Sequence, residues 1–283
     1  MDDFQYSRKI HYSSAAAAAA TAPMSYLRLA AAYIKLNWRM QMEYRGALLS
    51  QALAMFLNNS TWLIFWTLFF DRFPVVRGWE AKDVVTLWAI SAGGYGLANA
   101  FCWNLHNLAG LISRGQLDVW MLYPRAILPR LALGKMSATA LGDLAFGYVV
   151  YMVLVRPDWQ HFLLFNFLLA AVALVFLGFN IWRGCLGFVF GQGEILSEQW
   201  FFSMITFSTY PNCLFDGWIK LVLYTLIPAG FVSGLPVEAL HNFDWQKAML
   251  TWLGALTILG SSVAVFTLGL RRYQSGNLLD MRA

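Results

Sequence analysis

Residues 162–190 read FLLFNFLLAAVALVFLGFNIWRGCLGFVF. The stretch carries one charge, Arg183, and two asparagines, Asn166 and Asn180. As a helix it reaches about 43 Å, more than the roughly 30 Å hydrocarbon core of a bilayer. A transmembrane barrel strand is shorter, about ten residues, and alternates apolar with polar positions. This run is apolar throughout, so it reads as a membrane-spanning helix. The pattern recurs at Gly46–Phe70, Val84–Ile112, Arg130–Val155 and Ala248–Leu270. A further apolar stretch, Trp200–Pro211, is short and needs Ile195–Gln199 as its first turns.

Composition agrees with six spans. The 283 residues are 59% hydrophobic, 17% aromatic and only 12% charged. Soluble domains carry about 25% charged residues, so this chain lacks the charge to coat a soluble surface, and it is too apolar to be disordered. The fold class is all-α: a multi-pass helical membrane protein with six transmembrane helices. Residues 212–247 do not fit a seventh. Pro228, Gly230, Gly234 and Pro236 interrupt the apolar run after Lys220, which predicts a re-entrant or interfacial hairpin before the last span. Broken backbone of that kind is buried in protein or lines a polar cavity.

Four segments follow. Residues 1–23 read as a flexible cytoplasmic tail, with Met24 as an alternative start, and 24–45 as an amphipathic interfacial helix. Residues 46–276 form the six-span domain and 277–283 a short cytoplasmic tail. In the amphipathic helix Leu27, Ala31, Ile34, Trp38 and Met42 recur at three-to-four spacing, while Arg28, Lys35 and Arg39 share another face. Such a helix suits the surface of anionic lipid or a partner subunit, and the pattern does not separate the two.

Counting charges orients the chain. Six spans place Arg72, Arg77, Lys82, Arg156, Lys220 and Lys247 outside and the remaining fourteen of the twenty Lys and Arg inside. The excess of cations on one side is the signature of cytoplasmic loops. Both termini are therefore expected in the cytoplasm, with the chain in the plasma (inner) membrane. The net charge of +5 is read as basic loops beside lipid, not as a nucleic-acid surface.

Catalytic signatures are absent. Gly134-Lys135-Met136 lacks the upstream glycine and following hydroxyl of a phosphate-binding loop. The four histidines are dispersed, and Cys102, Cys185 and Cys213 show neither metal nor disulfide spacing. Gly230–Gly234 is not a nucleophile elbow. The chain is not expected to be an enzyme or to hold a metal or cofactor of its own.

Polar residues inside the spans are the candidates for a translocation path. Asp143 lies near the middle of the third span, where a charged Asp costs roughly 2.5–3.5 kcal/mol on insertion scales. It must face the interior, be neutral or have a partner, and Arg183 is one candidate. Asn99, Trp103, His106 and Asn107 recur at helical spacings, and Asn58, Asn59, Ser60 and Thr61 form a polar belt. These residues line a path or hold helices together. Trp62 and Trp66 are candidates for a subunit interface.

The loop Ser113–Pro124 reads SRGQLDVWMLYP. Gly115 suits a helix cap. Leu117, Trp120 and Met121 fall on one side of a short helix, which is either a docking knob for a partner or a plain interfacial turn. Arg114 to Pro124 resembles the coupling-helix region of type-2 ABC export permeases. Tyr210-Pro211, Ile227-Pro228 and Leu235-Pro236 are similar to the region between the last two spans in that family. The closing Gly269–Gly276 run resembles the C-terminus of one branch of it. The resemblance covers about residues 24–276. It implies two permease subunits, identical or homologous, over an ABC ATPase dimer that holds ATP and Mg²⁺. It also implies that Leu117, Asp118, Trp120 and Leu122 dock in an ATPase cleft, with Arg114 and Gly115 completing the coupling set. Two other readings remain: an ion-coupled secondary transporter using Asp143, or a membrane scaffold.

Overall fold

A computed structural model describes residues 26–122 and 126–273. The expected tails, 1–23 and 277–283, lie outside the described residues. Helix α1 is Tyr26–Glu43 and α2 is Arg45–Arg72. Helix α3, Ala81–Cys102, continues through a 3₁₀ turn at Trp103–Asn107 into α4, Leu108–Ser113. Two short helices follow, α5 at Leu117–Met121 and α6 at Ile127–Ala132. Helix α7, Ala138–Val150, ends in a π turn at Tyr151–Val155. Helix α8, Trp159–Gly184, runs on to Phe188. The remainder is α9 (Gly193–Ser208), α10 (Trp218–Thr225), α11 (Leu235–Asn242) and α12 (Trp245–Arg272). Among the described residues there is no strand, only an isolated bridge between Val76 and Trp79. The chain is an all-α, multi-pass membrane protein.

Among the described residues, five segments are long and apolar enough to cross a bilayer: Arg45–Arg72, Ala81–Ser113, Ala138–Val155, Trp159–Phe188 and Trp245–Arg272. Helix α9 has 16 residues, about 24 Å, short of the hydrocarbon thickness. Contacts at its two ends show what it does. At its start Glu194 lies 3.2 Å from Arg114. Beyond its end the Cys213 thiol reaches the Val76 carbonyl, on the loop that follows α2. Helix α9 and the turn after it therefore run from one end of the bundle to the other.

The hairpin behaves differently. Residues 218–225 and 230–242 meet at 88°. Before the hairpin Asp216 pairs with Arg77, and at its far end His241 pairs with Asp83. Arg77 lies in the connection between α2 and α3, and Asp83 in the first turn of α3. The hairpin thus enters and leaves at the same end and is re-entrant. Pro228 has no N–H to continue α10, and this is where the bend falls.

Two adjustments concern the spans. The third was expected to run unbroken from Arg130, but the chain breaks at 133–137 and α7 starts only at Ala138. Gly134 interrupts the helix, and the Ser137 side chain caps the new one by accepting from Ala140 N–H. The second contains the 3₁₀ segment at Trp103–Asn107, with no proline to announce it.

The core is built on glycine. A Cβ on Gly147 of α7 would lie 2.6 Å from the Ala89 carbonyl oxygen and 2.7 Å from Gly93 Cα on α3. Without side chains there, the backbones of α3 and α7 touch, as membrane helices lacking a hydrophobic driving force require. Around this contact pack Leu87, Ile90, Phe146, Phe165, Leu168, Val172 and Phe176. Helix α1 lies apart. Asn37 Nδ2 donates to the Leu133 carbonyl at 2.8 Å and Gln41 Nε2 to the Met136 carbonyl at 3.4 Å. Leu27, Trp38 and Met42 remain exposed.

Candidate functional site

Helix α4 ends in a Schellman arrangement. Gln116 N–H donates to the Leu111 carbonyl at 2.9 Å and Gly115 N–H to the Ile112 carbonyl at 3.1 Å. Gly115 has φ +68°, a left-handed conformation that glycine adopts without strain. The cap reverses the chain and places α5 across the end of the bundle. Leu117 is fully buried among Leu105, Leu108, Ile112 and Leu131. It is an anchor, not an outward contact. Trp120 is half-buried over Gly134, whose Cβ would meet the indole at 2.9 Å. The outward apolar side chains are Val119, Met121 and Leu122, the last 82% exposed. The face expected to dock therefore differs: Leu117 points inward and Leu122 alone of the three apolar candidates is fully presented.

Four braces hold this segment. The first is the Schellman cap. The second is buried Arg130 on α6, whose guanidinium donates to the Trp120 carbonyl at 2.8 Å, at the negative end of the α5 dipole. The third is the Arg114–Glu194 pair to α9. The fourth is packing: Tyr273, after α12, lies against the apolar cluster that holds Leu117. Burial first, then the neighbouring Asp118 carboxylate, pushes its phenol up to about 12. These contacts tie the segment to α4, α6, α9 and the end of α12. Sequence reasoning found α5 but missed Arg130 and Glu194.

The polar candidates inside the bundle separate into two clusters. In one, Arg183 of α8 is wholly buried and saturated. Its guanidinium donates to Asn180 Oδ1 (2.9 Å), Ser197 Oγ (3.0 Å) and the His106 carbonyl (3.2 Å), and it lies 3.5 Å from Glu198. It also stacks on Phe201 at 4.7 Å. Asn180 Nδ2 donates to Asn99 Oδ1, and His106 Nε2 faces Glu198 at 3.3 Å. The His106 carbonyl is available because the 3₁₀ turn leaves it outside a regular α ladder. This network joins α3, α8 and α9. The Glu194–Glu198 spacing of four, facing Arg114 and Arg183, is the signal that sequence reading left unused.

In the other cluster Asp143 of α7 accepts from Asn59 Nδ2 of α2 at 2.6 Å. Arg183 is not its partner: that guanidinium is committed to the first cluster. Asn58 is exposed and Asn107 half-buried, and neither joins the two clusters. Trp66 is buried in the core, while Trp62 stays 48% exposed beside Trp88. Among the described residues no group of His, Cys, Asp and Glu could hold a metal ion.

The family model described as ABC-2 family transporter protein matches residues 56–276. Comparison with curated proteins and with solved structures gives no match in either set.

Proposed function

The chain belongs to the ABC-2 transporter family, and we propose that it acts there as the permease of an ATP-driven exporter, coupled to a separate ATPase through residues 113–124. The observation carrying this reading is the braced segment with three outward apolar side chains, Val119, Met121 and Leu122. A rigid apolar knob at the basic end of the bundle is what a cleft in a partner needs to grip. Its braces give the partner's movement a route into the bundle. The chain lacks a phosphate-binding loop, so ATP and Mg²⁺ belong on the partner. The basic end, with Arg114, Arg130, Arg271 and Arg272, would face the cytoplasm of the plasma membrane.

A second permease subunit completes the reading. Helix α2 leaves Leu53, Leu57, Ile64, Phe65 and Leu68 exposed along its length, a face for another permease or for lipid. ATPase stimulation tests the coupling. The permease is reconstituted in lipid nanodiscs with its ATPase, and nucleotide hydrolysis is compared for wild type, Met121→Asp and Leu122→Asp. Both variants should lose most of the coupling while keeping the wild-type elution profile. Unchanged hydrolysis in both would remove the knob from the mechanism. An Asp143-centred ion-coupled transporter would then be the better account.

A further inference from the structure

A cavity of about 180 Å³ lies between α2, α3, α7, α8 and α9, away from the coupling segment. Its volume is that of about six waters. The wall is aromatic, with Trp88, Tyr95, Phe176 and Phe201, and one carboxylate stands in it, Asp143. Asn59 satisfies only Oδ1 of that carboxylate. Three buried polar atoms of lining residues have no partner among the described residues: Asp143 Oδ2, Trp88 Nε1 and Ser208 Oγ. These three residues are at most 6% exposed. Buried polar groups are nearly always satisfied; the indole N–H is a donor only, so of the three it is the Asp143 oxygen that a cationic occupant would serve.

The chemistry of the wall selects that occupant. Asp143 makes no ion pair among the described residues, and the nearby cation, Arg183, is already balanced by Glu198. With Asp143 ionised by an incoming cation, the cavity offers negative charge together with aromatic rings, a combination that suits a quaternary ammonium. An anion would be repelled by Asp143. The carboxyl torsion of Asp is soft, so Oδ2 can turn toward a head group without rebuilding the helix. We propose that this cavity binds the ammonium head of an amphipathic cation, with Asp143 as counter-ion and the aromatic rings as its wall. Resting on the permease reading, such a cation is the class of molecule the chain carries.

The test is binding of radiolabelled decyltrimethylammonium to the full chain in phosphatidylglycerol nanodiscs. The comparison probe is its neutral isostere with a tert-butyl head. Saturable binding is expected, at least tenfold weaker for the isostere and for Asp143→Asn, and several-fold weaker for Trp88→Phe. Repeating the measurement with phosphatidylcholine in the disc separates sources: competition by that lipid identifies a lipid head group, and its absence a free amphiphile. Equal binding of the isostere, equal binding by folded Asp143→Asn, or no saturable binding overturns the proposal. Where Asp143→Asn does not fold, Trp88→Phe and the isostere decide. A chain that stimulates its ATPase yet binds no ammonium loses this site and keeps the permease reading. Binding without any ATPase partner does the reverse.

Discussion

Leu117 and Leu122 bracket one short helix and meet opposite surroundings, 0% and 82% exposed. Truncating the first opens a cavity under the coupling segment and should cost about 2–5 kcal/mol. Truncating the second should change stability by no more than about 0.5 kcal/mol. Thermal unfolding of Leu117→Ala and Leu122→Ala in detergent checks both values. The sequence grouped Leu117, Trp120 and Met121 on one side, but a helix of barely more than one turn has no periodicity to say which side faces in. Arg183 illustrates the same limit. The charge count placed it with the cations of the cytoplasmic side, and its complete burial was not legible. Its partners come from α3 and α9, distant in sequence, and the depth of Asp143 along its own helix could not reveal that Asn59 stands opposite. Replacing Arg183 by Met leaves Asn180 Oδ1 and Ser197 Oγ without this donor and Glu198 without its guanidinium. Breaking such a buried network should cost about 3–5 kcal/mol, read as a lowered unfolding temperature.

At the level of elements, the long helices were legible because apolar runs of that length have few other solutions in a membrane. The breaks within them were not. The 3₁₀ turn at Trp103–Asn107 contains neither Gly nor Pro, and tertiary bonds such as Arg183 to the His106 carbonyl stabilise it. The α3–α7 contact sets a sharp steric test. Gly147→Leu must push two backbones apart and should destabilise the fold by about 1–3 kcal/mol or more, whereas Gly260→Leu, with nothing within 4 Å, should be tolerated. Yield of monodisperse protein distinguishes them. The α8 N-terminus gives a pH prediction. His161 backbone N–H, then its ring, bonds to Asp158 and holds that carboxyl below the usual range. A depressed carboxylate pKa contributes stability that is present at neutral pH and lost as pH falls through the folded value. Fraying of α8 should therefore begin only below about pH 4. Hydrogen exchange at the His161 amide should show it, and Asp158→Asn should abolish the pH dependence.

For the whole molecule, the charge count and the broken hairpin sequence together gave a path that returns to the end of the bundle where it began. The structure reaches the same path by contacts. Asp216 with Arg77 and His241 with Asp83 hold both ends of the hairpin at one face, so α9 must traverse despite its 16 residues. That short helix was the hardest to read, since its apolar part alone does not span a bilayer. The family was legible in the order of short motifs more than in any single one. What a single chain does not contain is its partner, and there the central claim is exposed. Gentle purification from native membranes, followed by mass spectrometry of what co-elutes, tests it most directly. The expected result is an ABC ATPase in an amount comparable to the permease. An intact, monodisperse sample with no ATPase would contradict the coupling account.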